Sequence, residues 1–240
     1  MNIRNEFWVI IPARSGSKSI KNKNLSKISG KPLFAYSILA AKKNKVFKKI
    51  VFSSDSEKYL KIAKKYGNCI LHKRSKKASS DTAGELDVLK DFIKSHLKLN
   101  KFLPKFFVSF RPTSPIRYEK TINKGIKLFK KNANTYSALR SVNEMSETSY
   151  KTVRIVDKKL SSLCGKDFRI DKYDMCRAKY PKTYEMNGII DIYKTQNILK
   201  GTLLGNKVFP YVVDDINSNI DSLKDIDFVK YYIKKNNFKI

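Results

Sequence analysis

Phe7-Trp8-Val9-Ile10-Ile11 leads directly into Pro12-Ala13-Arg14-Ser15-Gly16-Ser17-Lys18-Ser19-Ile20-Lys21-Asn22-Lys23-Asn24, and Pro32 then opens LFAYSILAAKK at 33–43. Five consecutive apolar residues have the length of a strand. Because alternate side chains leave opposite faces, a strand apolar throughout must be covered on both sides, as in a parallel sheet layered between helices. Pro12 stops the run, and a polar loop of small residues follows. Pro32 suits the start of a helix, the apolar residues after it recur at helical spacing, and the closing lysines sit where the macrodipole favours cations.

The same alternation continues outward from this unit. Strands are expected at 50–53, 69–71, 106–110 and 136–142, and helices at 57–66, 83–97 and 119–130. Repeated strand–helix alternation predicts a three-layer α/β fold with a mostly parallel, doubly wound, Rossmann-like sheet in a single domain over 1–240. From about residue 143 to 184 the alternation lapses. A hairpin over 151–156, turning near Asp157 and Lys158, enters a polar stretch read here as a small dimerisation insertion. The pattern resumes with strands at 188–193 and 208–213, and an amphipathic helix at 223–234 gathers Phe228, Val229, Tyr232 and Ile233.

The chain has 240 residues and a mass of 27.7 kDa, the size of one domain. A hydrophobic content of 41% can build a core, while a mean hydropathy of −0.45 and the lack of a long apolar run argue against a membrane span. Lys and Arg number 51 against 21 Asp and Glu, a formal charge of +30, yet only nine of the 51 are Arg. Nucleic-acid readers favour the arginine fork, and the lysines here are spread over every segment, so a nucleic-acid-binding module is the remote alternative. Such a surface still draws small anions toward a cleft. Three distant cysteines (Cys69, Cys164, Cys176) and two histidines (His72, His96) form no disulfide framework, zinc motif or Ser-His-Asp set. The apolar run at 7–11 is too short for a secretion signal, which predicts a cytoplasmic protein.

In a doubly wound sheet, ligands lie beyond the carboxyl ends of the strands, and three segments fall there. The first is the loop at 12–24, where exposed backbone N–H groups with Arg14, Lys18 and Lys23 suit a triphosphate; the GxxxxGK[ST] phosphate loop cannot be laid over it. The second is Arg111-Pro112-Thr113-Ser114-Pro115-Ile116-Arg117, stiffened by two prolines and holding two of the scarce arginines. The third is Asn219-Ile220-Asp221-Ser222. Residues i and i+2 of an extended segment share a face, so Asn219 and Asp221 are candidates to offer oxygens to Mg2+, with an N-cap role for Asp221 as the alternative.

Taken in order, ARSGSK-x-I-x-x-KN, R-x-x-x-A-x-SDTA (74–83), RPTSPIR, CRAKYPKTYEMNG and IDS resemble the acylneuraminate cytidylyltransferases, the CMP-sialic acid synthetase family. The likeness runs over nearly the whole chain. It implies a dimeric nucleotidyltransferase that joins CTP to a nonulosonic, nine-carbon acidic sugar, giving the CMP-sugar and pyrophosphate with Mg2+. The same fold and first loop would also serve transfer to another sugar or a sugar 1-phosphate. By the resemblance, Arg14, Gly16, Ser17, Lys18, Lys23 and Asn24 bind the phosphates, and Arg74, Asp81 and Thr82 lie near the base. Arg111, Thr113, Ser114, Arg177 and Asn187 face the sugar, Asp221 with Asn219 holds the metal, and Arg14, Lys23 and Asp221 are catalytic. Two departures stand out: Asn219 replaces the first carboxylate of an Asp-Ile-Asp, and Arg111 replaces a glutamine common in the sialic acid enzymes.

Overall fold

The computed structural model describes residues 2–17, 19–99, 102–163, 171 and 175–239. The opening strand β1 (Asn2–Pro12) lies inside the sheet and pairs in parallel with β4 (Phe47–Ser54) on one side and β6 (Phe102–Ser109) on the other. Its period of two divides the apolar run between two cores. Phe7, Val9 and Ile11 join one face, with Phe34 and Ile38 of α1 (Leu33–Lys43), Tyr59 of α2 (Glu57–Ala63) and Phe129 of α4 (Glu119–Asn132). Trp8 and Ile10 join the other, with Leu89 and Phe92 of α3 (Glu85–Leu99) and Ile198 of α5 (Thr195–Leu199). This is the three-layer architecture expected from the sequence.

Between β1 and β4, the two-residue strands β2 (Lys27–Ile28) and β3 (Lys31–Pro32) form a minor ladder. The seven-stranded sheet runs β11-β7-β10-β6-β1-β4-β5, with β5 (Ile70–Lys73), β7 (Ala138–Glu144), β10 (Tyr184–Lys194) and β11 (Val208–Val212). Only β10 runs antiparallel, against both β6 and β7. The chain leaves β7 at the carboxyl edge, makes its excursion there and re-enters from the same edge, so β10 must run the opposite way.

The excursion contains the expected hairpin, β8 (Val153–Val156) and β9 (Lys159–Ser162), joined at Asp157 and Lys158, both at positive φ as a tight two-residue turn demands. The stretches 164–170 and 172–174 of the proposed insertion lie outside the described residues. The last helix, α6 (Leu223–Lys235), buries Ile226, Val229 and Ile233 on a third cluster with Ile28, Tyr36 and Ile116. Phe228 is on the opposite, exposed side, which corrects the expected face by one residue position.

Candidate active site

A cleft of about 590 Å3 opens at the carboxyl ends of β1, β5 and β6, lined by the first two of the loops singled out in the sequence, with the third held against them. The first loop is tied down by Asp55, which follows β4 and accepts from Ser15 N at 2.8 Å and Ser15 Oγ at 2.7 Å. Burial by itself would raise the Asp55 carboxyl; the Ser15 hydrogen bonds and the charge of Arg74 bring it below its ordinary value. Asn24 Nδ2 donates to the Arg14 carbonyl at 2.9 Å and folds the far end of the loop back onto its start. A Cβ at Gly16 would meet no atom within 4 Å, so the loop there borders open space. Arg14, Ser17, Lys23 and Asn24 all line the cleft. Lys18 lies outside the described residues.

Arg14 reaches across the cleft to Asp81 Oδ1 at 2.9 Å and the Ser80 carbonyl at 3.3 Å. Thr82 Oγ1 is 3.3 Å from Ser80 Oγ in the same turn. Lys23, with its side chain only 10% exposed, places Nζ 2.8 Å from the Ile220 carbonyl and 3.1 Å from Asp221 Oδ1. That contact brings the first and third segments together although 198 positions separate them in sequence. Ile220 N donates to the Thr113 carbonyl at 2.8 Å, which joins the second segment as well.

The two arginines of the second segment have different tasks. Arg117 is buried and donates to the carbonyls of Arg111, Gly188 and Ile189 and to Ser37 Oγ, at 2.7 to 3.1 Å. Burial pushes its pKa down to about 9, which leaves it charged at neutral pH as an internal brace. Arg111 lines the cleft, with Nη2 3.3 Å from both Glu85 Oε2 and Asp191 Oδ2. Arg140 Nη2 adds a contact to Asp191 at 3.2 Å, and Tyr193 OH lies 3.1 Å from both carboxylates with one proton to donate between them. Burial raises the Glu85 carboxyl, opposed by Arg111.

Three residues expected at the sugar have other surroundings. Ser114 is buried and donates to the Asn187 carbonyl at 2.7 Å. Asn187 Oδ1 accepts from Ser141 Oγ and Ile189 N, while its Nδ2 donates to Asn143, so the side chain is spent on shaping the irregular start of β10. Arg177 borders a separate cleft of about 600 Å3 at the carboxyl end of β7, where it donates to the Met145 carbonyl at 2.7 Å.

In the third segment Asn219 and Asp221 do share a face, and Asn219 Nδ2 donates to Asp221 Oδ2. The amide thereby presents its nitrogen to the carboxylate and steadies it, where the sequence reading had its oxygen beside it. The cap of α6 is Ser222, in a capping box with Asp225, so the N-cap alternative for Asp221 is not the one the fold uses. Among the described residues no three His, Cys, Asp or Glu side chains cluster as a metal site.

A family model described as "Cytidylyltransferase" matches residues 8–200. The chain belongs to the cytidylyltransferase family. It is 31% identical to a post-translational flagellin modification protein B from Campylobacter coli, over 98% of this chain and 97% of that one. It is 30% identical to a CMP-N,N'-diacetyllegionaminic acid synthase from Campylobacter jejuni, over 97% of each. An N-acylneuraminate cytidylyltransferase from Escherichia coli is 31% identical over 99% of this chain and 55% of that protein. Among solved structures, a CMP:2-keto-3-deoxy-manno-octonic acid synthetase superposes with a TM-score of 0.68 at 14% identity, covering 96% of this chain and 99% of that one, a likeness of fold.

Four residues of this cytidylyltransferase site escaped the sequence reading: Ser53, Asp55, Glu85 and Asp191. Ser53 and Asp55 were within reach, because Ser53-Ser54-Asp55 ends a strand at the carboxyl edge, where ligand sites gather. Glu85 looks like an ordinary first-turn helix residue, and Asp191 sits inside a strand; only the fold brings them to Arg111.

Proposed function

We propose that this cytidylyltransferase transfers CMP from CTP to the anomeric hydroxyl of an acidic nine-carbon sugar of the nonulosonic class, releasing pyrophosphate. The observation that carries the reading is the meeting of Arg14, Lys23, Arg74 and Arg111 in one cleft, because two anionic substrates brought together need cations on several sides. The relatives' names supply the substrate class. In the reaction the sugar hydroxyl oxygen attacks the α-phosphorus in line, the bond to the β-phosphate bridging oxygen breaks, and the hydroxyl proton is released. Arg14 and Lys23 exchange their present carboxylate partners for phosphate oxygens and stabilise the charge that builds on them. Arg74 faces the nucleotide at the other wall, and Arg111 with Thr113 faces the sugar.

Mg2+ fits the third segment in a limited way: Asp221 is 69% exposed and is steadied by Asn219, and a single carboxylate with phosphates and water is a common magnesium environment. Bound there, the ion would neutralise phosphate charge.

Residues 143–184 are proposed to form a symmetric dimer contact. Support comes from Ile155 at 76% exposure and from the exposed Val156, Leu160 and Leu163 on the hairpin and just after it. No helix among the described residues is long and apolar enough to cross a membrane, and a cytoplasmic enzyme fits the soluble substrates.

The test is pyrophosphate release with neuraminic, legionaminic and pseudaminic acids and with sugar 1-phosphates, each with CTP, UTP and GTP. Turnover is expected with CTP and a nonulosonic acid. Arg14→Ala should lower it by about 10²-fold or more with the fold intact. Turnover only with a sugar 1-phosphate would overturn the substrate class, and unchanged turnover in Arg14→Ala would remove the first loop from the active site.

A further inference from the structure

Arg74 is held from behind by groups that do not line the cleft. Its Nε donates to Ser53 Oγ at 2.9 Å and its Nη2 to the Ser53 carbonyl at 3.1 Å. A guanidinium can only donate, so the Ser53 hydroxyl proton has to point elsewhere, and His72 Nδ1 stands 2.9 Å from the same oxygen. Ser53 and His72 are register partners across β4 and β5, which makes this spacing a property of the sheet. If Ser53 donates to Nδ1, that nitrogen is bare and the imidazole proton is on Nε2. Nε2 lies 3.2 Å from Asp91 Oδ2 of α3, close enough for the carboxylate's charge to favour a proton on that nitrogen, although the pair does not meet hydrogen-bond geometry. Asp91 is itself fixed, accepting from Ser75 N at 2.8 Å. Ser53 thus donates to His72 and accepts from Arg74, with the Asp91 carboxylate beside the far ring nitrogen, and Ser53, His72 and Arg74 are all buried.

The imidazole stays neutral at ordinary pH. Burial lowers its pKa to about 4; of the charged groups around it, Asp91 from α3 favours the proton and Arg74 at the end of β5 disfavours it. Phe92, also on α3, packs edge-on against the ring. With Nε and Nη2 engaged by Ser53, Nη1 of Arg74 makes no hydrogen bond among the described residues while Arg74 borders the cleft.

We infer that His72 is a positioning residue for nucleotide binding: by accepting the Ser53 proton it keeps the Ser53 oxygen turned to Arg74 and leaves Nη1 for the nucleotide. This rests on the reading of Arg74 as a nucleotide contact. The experiment is isothermal titration of CTP into the full chain and its variants. Arg74→Ala should weaken CTP binding by about tenfold or more, and His72→Leu and Ser53→Ala by roughly five- to tenfold. His72→Asn, whose Oδ1 accepts in place of Nδ1, should restore binding to within about twofold, and His72→Leu should add nothing in an Arg74→Ala background.

Should His72→Leu not fold, Ser53→Ala severs the same link with a smaller change. Weakened binding in Arg74→Ala with none in Ser53→Ala would overturn the inference, as would full additivity in the double variant or an Asn variant no better than Leu. Unaltered binding in Arg74→Ala would instead remove Arg74 from the nucleotide site, and the inference would fall with its premise.

Discussion

Asp221 is the residue on which the metal reading turns. Since Ser222 supplies the helix cap, the carboxylate is free of that duty, and its partners are the ammonium of Lys23 and the amide of Asn219. Asp221→Asn should abolish Mg2+-dependent turnover and change the melting temperature little, because the side chain is mostly exposed. Pyrophosphate release across a magnesium titration, with a chelator control, checks this; normal magnesium dependence in the variant would place the metal on the nucleotide and other residues alone. His72 yields a second prediction at this scale. Its folded pKa of about 4 lies below the unfolded value of 6.5, so the folded state binds the proton less well. The stability it contributes is complete above pH 6.5 and is lost as pH falls toward 4, by on the order of 3 kcal/mol for a shift of this size. In His72→Asn, denaturant unfolding between pH 7 and 4.5 should be flatter than in the parent chain; an identical slope would show that another group sets it.

At the scale of elements, the loop after β6 and the irregular opening of β10 are one assembly braced by Arg117. Its guanidinium donates to three carbonyls from two segments, and removing it takes that donor from the Gly188 and Ile189 carbonyls, while the Arg111 carbonyl keeps Ser114 N. Arg117→Met keeps the volume of the stem and should destabilise the fold by roughly 3 kcal/mol or more, in the range for breaking a buried charged network. A melting temperature unchanged from the parent would disprove the brace. Arg111, six residues earlier, is expected to tolerate substitution better in stability and worse in turnover. The spacing Arg-Pro-Thr-Ser-Pro-Ile-Arg marks both arginines as special; the loop packs closely on Gly188, at φ 65°, where a Cβ would come 2.8 Å from Ser114 Oγ.

For the whole molecule, the proposed dimer makes a mass prediction. Light scattering at micromolar concentration should give twice the 27.7 kDa chain mass, and Ile155→Asp, which places a charge on the exposed hairpin face, should shift the protein to the monomer. A parent chain that is monomeric would remove residues 143–184 from that role.

The sequence by itself determined the layered α/β architecture, the place of the first cleft-lining loop, the Asp157–Lys158 turn and the family. Each of these is written in contiguous residues: a five-residue apolar run, helical periodicity, paired prolines, motifs in a fixed order. The direction of β10, the exposure of Phe228, the division of labour between Arg111 and Arg117, and the partners of Asn187 and Asp221 were decided only by tertiary structure. So was the link from His72 through Ser53 to Arg74, with Asp91 beside the ring. The physical reason is common to all of them: hydrogen-bond satisfaction and charge pairing in a buried site are set by groups far apart in sequence, and nothing in a local pattern records which of them the fold brings into contact.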